Sequence, residues 1–299
     1  MSKAVFTALA ANSCIAVAKA TAAVFTGSGS MLAESIHSAA DCLNQILLLV
    51  GIQRAKKAPD ATHPMGYGRE SYFWALLVAV LLFGLGGLFA LIEGIHRLQH
   101  PTPVEHLGIS IAILAGAVLL EGWSLRNAIQ ESEEERGDKS LLRWFRDTRQ
   151  SELLIVTAED IGALAGLAVA LMALTLVAIT GNPIFDAVGT LLVGILLSII
   201  SMMVLWEVRG LVAGESLATE ERRSILAFVR ARPEVDEVLN IITLQWGADK
   251  MVAVKAQMVC FGTPAELVAA INRVEEAMQS EFGIRWVFFE PDILLNENR

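Results

Sequence analysis

Four polar side chains recur within one short, otherwise apolar stretch of the chain. Glu34, His37, Asp41 and Asn44 are spaced three, four and three residues apart. At ~100° of rotation per residue, this spacing places all four within an arc of roughly 80° on one helix face. An imidazole with a carboxylate one helical turn away is a natural half-site for a divalent metal ion. We therefore predict metal ligands here, with pairing to polar groups on neighbouring helices as the alternative.

A second pair of acids, Glu159 and Asp160, lies in another long apolar stretch. Two adjacent carboxylates in an apolar environment normally become protonated or find a partner, so a bound cation facing them is an economical explanation. Because they point about 100° apart on a helix, we expect only one to be a direct ligand. The alternative is a shallow, hydrated position near the helix end. In order of strength, the candidate ligands are His37, Asp41, Asp160, Glu159, Asn44 and Glu34.

The composition indicates what kind of scaffold positions these residues. Of the 299 residues 54% are hydrophobic and 18% are charged, against about 25% charged in a soluble domain, and the mean hydropathy is +0.54. A membrane-spanning helix needs about 20 apolar residues, and a chain that crosses lipid must pair its backbone groups within each helix. Six segments meet this requirement: Ala4–Thr26, Met31–Ile52, Tyr72–Leu98, Leu107–Ala128, Leu153–Ile179 and Asp186–Val208.

The links between these segments differ in charge. Basic residues fall between segments two and three, between four and five, and after six, whereas the other links are nearly free of them: Arg54, Lys56, Lys57, Arg69, Arg126, Arg136, Lys139, Arg143, Arg146, Arg149 and Arg209. Lys and Arg accumulate on the cytoplasmic side of a membrane. We therefore expect a multi-pass protein with both termini in the cytoplasm, in a bacterial inner membrane. We read the first apolar stretch as a retained helix rather than a cleaved signal peptide.

The pattern changes after Gly214 to that of a soluble domain. Amphipathic helical stretches and short runs rich in Val, Ile and Met alternate in the order helix, strand, strand, helix, strand. The predicted fold class is thus an all-α, six-helix transmembrane domain over residues 1–210 and a cytoplasmic α+β domain of αββαβ order over residues 211–299.

Charge and motifs exclude several classes of function. The formal net charge is −9 and the isoelectric point is about 5.1, which argues against a nucleic-acid partner. The three cysteines lie far apart and form no zinc-finger spacing. No HExxH, GxSxG or P-loop motif is present, so we do not expect an enzyme or a prosthetic group.

Two further charged residues interrupt apolar runs. Lys19 lies in the first segment, where we interpret it as a packing residue or one whose ammonium group reaches the membrane surface. Glu121 lies toward the cytoplasmic end of the fourth segment and is a candidate for lining an access path.

Three motifs resemble the cation diffusion facilitator family of divalent metal/proton antiporters. The stretch 27–41, GSGSMLAESIHSAAD, is similar to the second helix of that family. The stretch 63–69, HPMGYGR, resembles its first cytoplasmic loop, and the stretch 182–189, NPIFDAVG, resembles the entry to its sixth helix. The adjacent Glu159 and Asp160 resemble the branch that contains the mitochondrial-type zinc transporter.

This resemblance implies a set of ligands. In the family, two polar residues four apart on helix two meet two more, four apart, on helix five. His37 and Asp41 match the first pair and Asp160 matches the last position, but Val156 stands where the remaining ligand would be, so Glu159 is the expected replacement.

The resemblance also implies an accessory site in the first cytoplasmic loop. There the family usually carries an Asp, a His three residues later and a second His four beyond that. Asp60 and His63 match the first two positions, whereas Tyr67 occupies the third. We therefore expect a weak loop metal site or none, with hydrogen bonding by His63 as the alternative.

The implied function is export of a divalent cation from the cytoplasm by alternating access, in exchange for protons, by a homodimer in the lipid bilayer. Zinc is the expected ion because an imidazole with carboxylates suits it, while manganese, iron and cobalt are alternatives. The rival reading is a metal-binding sensor or scaffold that no longer transports.

Overall fold

The structure, a computed structural model, describes residues 2–136, 140, 144, 148 and 151–293. Four of the basic residues on which the predicted orientation rests, Lys139, Arg143, Arg146 and Arg149, lie outside these residues. Helices dominate the first two thirds of the chain: α1 Ser2–Thr26, α2 Gly29–Ala55, α3 Glu70–Leu81, a π-helix Leu82–Leu88, α4 Phe89–Gln99, α5 Leu107–Arg136, α6 Ser151–Thr180 and α7 Ile184–Ala213.

Within the described residues, five helical segments are long and apolar enough to cross a membrane: Gly29–Ala55, Glu70–Gln99, Leu107–Asn127, Leu153–Thr180 and Ile184–Ala213. Many of their large apolar side chains point outward, including Leu119 and Ile179, each 76% exposed. A soluble monomer rarely exposes so much contiguous apolar surface, and lipid is the environment that suits it. The helix α1 packs against α2 and α5.

The third spanning segment is not a uniform α-helix. Its middle turn and a half, Leu82–Leu88, is a π-helix with the sequence LFGLGGL. Such wide turns are rare and often occur at functional sites. Here the π-helix packs against α2 and α7, with Leu82, Gly86 and Gly87 buried and Leu85 and Leu88 partly exposed.

The helix α2 lies at the centre of the packing and contacts α1, α3, the π-helix, α4, α6 and α7. Its first turn is capped by Asp186 from the start of α7. One oxygen of the Asp186 carboxylate accepts a hydrogen bond from the Gly29 amide at 2.7 Å, and the other accepts from the Ser28 hydroxyl at 2.8 Å and the Ser30 amide at 3.2 Å. A carboxylate at a helix N-terminus satisfies unpaired amides and favours the helix dipole.

Arg97, at the end of α4, completes this contact. Its guanidinium group lies 3.8 Å from Asp186 and 2.6 Å from Glu93, and it also donates to the Gly27 carbonyl at 2.6 Å. Three helices are thereby fixed to one another at the end of the bundle where α2 begins.

A small α/β unit follows α7, which runs on to Ala213 and ends at Gly214 with a φ of 106°, a left-handed conformation that favours glycine. Its elements are α8 Thr219–Arg230, β1 Val235–Trp246, β2 Asp249–Met258, α9 Pro264–Phe282 and β3 Trp286–Pro291. The sheet order is β1-β2-β3, with β1 antiparallel and β3 parallel to β2.

The core of this unit lies between the two helices and one face of the sheet. Val252, Val254 and Ala256 alternate along β2 as buried residues, as expected for a strand with one covered face. They pack with Val229 of α8 and Val274 of α9.

The α/β unit contacts the helical part through the β1–β2 turn. The Gly247 amide donates to the Tyr72 hydroxyl of α3 at 3.0 Å, and that hydroxyl donates to the Gly247 carbonyl at 3.2 Å. The Arg69 guanidinium lies 5.0 Å from the centre of the Trp246 ring and donates to the Val212 carbonyl. The start of the third spanning segment is therefore attached to the α/β unit.

Candidate metal site

The polar face predicted for α2 is buried in the bundle. Glu34 and Asn44 are fully buried and His37 is 1% exposed, while the Asp41 side chain retains 14% of its exposure. The His37 Nε2 atom lies 3.6 Å from the Asp41 Oδ2 atom, one helical turn away. The local sequence accounts for this placement, because the three-four-three spacing keeps the residues on one face of α2. That face contacts α1, the π-helix and α6.

Most polar atoms of this face lack a hydrogen-bond partner. Among the described residues, the buried atoms without one include Glu34 Oε1, both ring nitrogens of His37, Asp41 Oδ1 and Asn44 Oδ1. Native proteins pair nearly all of their buried polar groups, and each unpaired one costs about 1–3 kcal/mol. Five such atoms lie on three turns of one helix, and the lone-pair donors among them remain available to a ligand.

The two acids of α6 lie beside this face. The Glu159 Oε1 atom accepts a hydrogen bond from the Asn44 amide at 2.6 Å, which brings α2 and α6 into direct polar contact. Asp160 instead accepts from the Ser124 hydroxyl of α5 at 3.0 Å. The two neighbouring carboxylates therefore turn toward different helices, as their ~100° separation requires.

The candidate ligands do not close around a single point. Within the described part of the chain, no group of three His, Cys, Asp and Glu side chains stands at a spacing that could hold a metal ion. The two weaker candidates have protein partners, since the Asn44 amide is used by Glu159 and one oxygen of Glu34 by Lys19. What the structure shows is a buried polar layer, which we define as His37, Asp41, Asn44, Glu159 and Asp160.

Our sequence interpretation left two alternatives for Lys19, a packing residue or one whose ammonium group reaches the membrane surface, and the structure favours the first. Its ammonium group does not reach the membrane surface; the residue is fully buried. The Nζ atom lies 3.3 Å from Glu34 Oε2 and donates to the Ser38 hydroxyl at 2.8 Å. The available signal was a lysine in the middle of an apolar helix next to a helix with an acidic face, because a buried charge requires a partner.

Glycines of two neighbouring helices shape the space beside α2. A Cβ atom on Gly166 of α6 would lie 2.8 Å from Glu34 Oε1, and one on Gly86 of the π-helix would lie 3.5 Å from His37 Nδ1. The second distance is ordinary van der Waals contact, whereas the first is too short for a real Cβ atom, so glycine at position 166 lets the Glu34 carboxylate approach the backbone of α6.

The loop between α2 and α3 carries the second predicted set, Asp60 and His63. The Asp60 carboxylate accepts from the Thr62 amide and hydroxyl and the His63 amide on one oxygen, and from the Tyr67 hydroxyl and Lys57 on the other. A carboxylate has about four acceptor sites, so these five donors fill it. A metal ion would have to displace them.

The electrostatics of the loop agree with this geometry. The hydrogen bond from the Thr62 side chain, followed by that from Tyr67, lowers the pKa of Asp60 below its usual value. The pKa of Lys57 is raised, chiefly by its hydrogen bond to Tyr67. The His63 ring stacks on Tyr67 with the ring centres 4.0 Å apart. The Lys57 ammonium group and the Tyr67 hydroxyl therefore bind the Asp60 oxygen that a metal ion would otherwise use.

The bundle of apolar helices around a buried polar layer defines a multi-pass membrane protein of the transporter class. The profile of the cation efflux transmembrane domain matches residues 5–210. The chain belongs to this family, the cation diffusion facilitators. Within the family it is similar to the branch that contains the mitochondrial-type zinc antiporter.

Several curated proteins are similar to the chain. It is 33% identical to the "Proton-coupled zinc antiporter SLC30A9, mitochondrial" of Xenopus laevis over 83% of this chain and 45% of the relative. It is 33% identical to "Metal tolerance protein C4" of Arabidopsis thaliana over 70% of this chain and 46% of the relative. It is 24% identical to the "Cation-efflux pump FieF" of Klebsiella pneumoniae over 94% of this chain and 89% of the relative. The chain thus spans less than half the length of the first two relatives.

Proposed function

We propose that the chain exports a divalent metal ion, with zinc as the preferred ion, in exchange for protons. The observation that carries this proposal is the row of unpaired buried polar atoms on α2, facing the acids of α6. A divalent cation between the two helices would supply the missing partner for several of these atoms at once.

In this proposal His37 and Asp41 are the ligands from α2, and Asp160 and Glu159 are those from α6. Val156 of α6 packs in an apolar cluster with neighbouring helices, so it leaves the corresponding position without a donor. Closing the site requires the Asp160 side chain to turn from Ser124 toward His37 and Asp41, whose nearest side-chain atoms already lie 3.6 Å apart. An imidazole with carboxylate oxygens is a donor set typical of zinc, although manganese, iron and cobalt also accept it.

Proton coupling follows from the chemistry of these ligands. Imidazole coordinates a metal only when it is neutral and carboxylates only when they are ionised, so protons and metal compete for the same groups. Protonation of His37, Asp41 and Asp160 from an acidic outer side would release the metal there. In alternating access, deprotonation on the inner side would then allow rebinding.

The architecture of the proposal is a transport domain, residues 1–210, with six spans and both termini in the cytoplasm, followed by a cytoplasmic domain, residues 211–299. The helix α1 supplies the sixth span, since it is 25 residues long and packs in the bundle. The basic links support this orientation.

A homodimer is also part of the proposal. Ile242 of β1 and Phe288 of β3 flank Ala253 on the outer face of the sheet, and they are 56% and 54% exposed. Such an open apolar face on a small domain is a typical site of self-association.

The test is metal flux into proteoliposomes across a panel of divalent ions, with and without a pH gradient. We expect wild-type zinc flux to saturate and to change with the sign of the gradient, and we expect Asp41→Asn and Asp160→Asn to abolish it. Ile161→Ala is the matched control, because Ile161 adjoins Asp160 on α6 and is 40% exposed. Zinc binding without flux would favour a sensor or scaffold, and flux unaffected by either gradient would exclude antiport.

A further inference from the structure

The ion pair between Lys19 and Glu34 divides the polar face of α2 into two parts. Both residues are fully buried, and the Lys19 ammonium group bridges Glu34 Oε2 and the Ser38 hydroxyl. A buried carboxylate paired in this way is strongly held, because breaking the pair leaves an uncompensated charge. Glu34 is thus held by α1, while His37, one turn further along α2, has no hydrogen-bond partner on either ring nitrogen.

Without Lys19, Glu34 would be well placed to act as a ligand. It precedes His37 by three residues on the same face, and its second oxygen, Oε1, already points toward Gly166 of α6 without a hydrogen-bond partner. Release of Oε2 from Lys19 would therefore free a second carboxylate oxygen beside the proposed metal site.

The number of oxygen donors affects which ion a site prefers. Zinc is satisfied by four ligands and tolerates a mixed nitrogen and oxygen set. Manganese, like magnesium and calcium, favours octahedral sites that are rich in oxygen. An additional carboxylate would thus favour manganese over zinc.

Building on the proposed function, we infer that Lys19 is a specificity-determining residue that withholds Glu34 from the metal and so disfavours oxygen-preferring ions. Lys19 does not touch the metal in this scheme. It acts by controlling how many acidic oxygens can.

The test is calorimetric binding of Zn²⁺ and of Mn²⁺ to the purified full chain at one pH. For Lys19→Met we expect the ratio of the manganese to the zinc dissociation constant to fall by about tenfold, equivalent to ~1.4 kcal/mol. For Lys19→Met/Glu34→Gln, which removes the freed carboxylate, we expect the wild-type ratio. Val17→Ala is the control, because Val17 lies two residues from Lys19 on α1 and is 66% exposed.

An unchanged ratio in Lys19→Met would overturn the inference, as would a double variant that behaves like the single one. If Lys19→Met does not fold because it leaves Glu34 unpaired, the double variant is the deciding protein. A double variant that binds zinc as tightly as the wild type supports the inference. A double variant that binds zinc tenfold or more weakly shows that Glu34 is itself a ligand and refutes the inference. Wild-type protein that binds neither ion would instead refute the proposed function.

Discussion

The chain contains the same pair of residue types, an Asp and a His about one turn apart, in two regions with opposite properties. In the buried polar layer, His37 and Asp41 retain unpaired atoms although almost no water reaches them. In the loop between α2 and α3, Asp60 is exposed and accepts hydrogen bonds from three neighbouring side chains and two backbone amides. The difference shows that the residue types alone do not identify a potential metal site. What distinguishes the two regions is whether the ligand atoms already have hydrogen-bond partners within the protein.

The sharpest way to break this comparison is to neutralise one acid in each region. Asp41→Asn should reduce zinc flux by about a hundredfold or more, ~2.7 kcal/mol in the transport barrier, because the amide removes an anionic ligand. Asp60→Asn should change the flux by less than about threefold, since that carboxylate only organises a loop. Initial rates in proteoliposomes would measure both. Equal effects of the two substitutions would remove the distinction between the regions.

Asp186 provides a third case, a carboxylate that is buried and fully paired. We expect Asp186→Asn to destabilise the protein by about 2–3 kcal/mol, because it weakens several charge-assisted hydrogen bonds to the start of α2. Thermal unfolding in detergent, with Glu105→Gln as the exposed control, would measure this. If Asp186→Asn left the stability unchanged, the hydrogen bonds of the buried Asp186 carboxylate would not have the structural role that we assign to them.

A single substitution should give the loop the metal-binding property that we propose for the buried polar layer. Tyr67→His places an imidazole beside Asp60 and His63 and removes the hydroxyl that supports Lys57. We expect one additional zinc ion per chain to bind, detected as a second calorimetric phase about tenfold or more weaker than the first. The variant Lys57→Ala/Tyr67→His also removes the competing ammonium group. If this variant binds no additional zinc, the hydrogen bonds from Lys57 and Tyr67 to Asp60 are not what prevents metal binding in the loop.

The smallest expected effect is the response of the loop to pH. Because hydrogen bonds hold the pKa of Asp60 below its unfolded value of about 3.9, Asp60 stabilises the loop above that pH and this stabilisation is lost only as the pH falls further. Hydrogen exchange of the Thr62 and His63 amides should therefore show the same protection at pH 8 and pH 5. Loss of this protection by pH 5 in the wild type would contradict the assignment. Glu105→Gln, which changes an exposed acid outside the loop, is the control and should behave like the wild type.

Local periodicity made part of this structure predictable. The three-four-three spacing from Glu34 to Asn44 indicated a single helix face, and the structure buries Glu34, His37 and Asn44 on it. The sequence left the role of Lys19 open between packing and reaching the membrane surface, because its partner Glu34 lies on another helix and a single sequence contains no signal for which helix faces which. The contact of Asp186 with residues more than 150 positions earlier was not foreseen for the same reason.

Two further features depend on packing rather than on local sequence. The π-helix at Leu82–Leu88 was not predicted, because three glycines in an apolar run are equally compatible with an α-helix. The contact between Asn44 and Glu159 needed the register of α2 against α6, which only the folded bundle provides.

Zinc K-edge X-ray absorption on the purified full chain tests most directly whether the buried polar layer holds the metal. We predict one tightly bound zinc ion, coordinated by one imidazole and by oxygen atoms at about 2.0 Å, with the imidazole signal lost in His37→Gln and retained in His63→Gln. Zinc that binds with no imidazole, or with an imidazole that disappears in His63→Gln, would contradict this account.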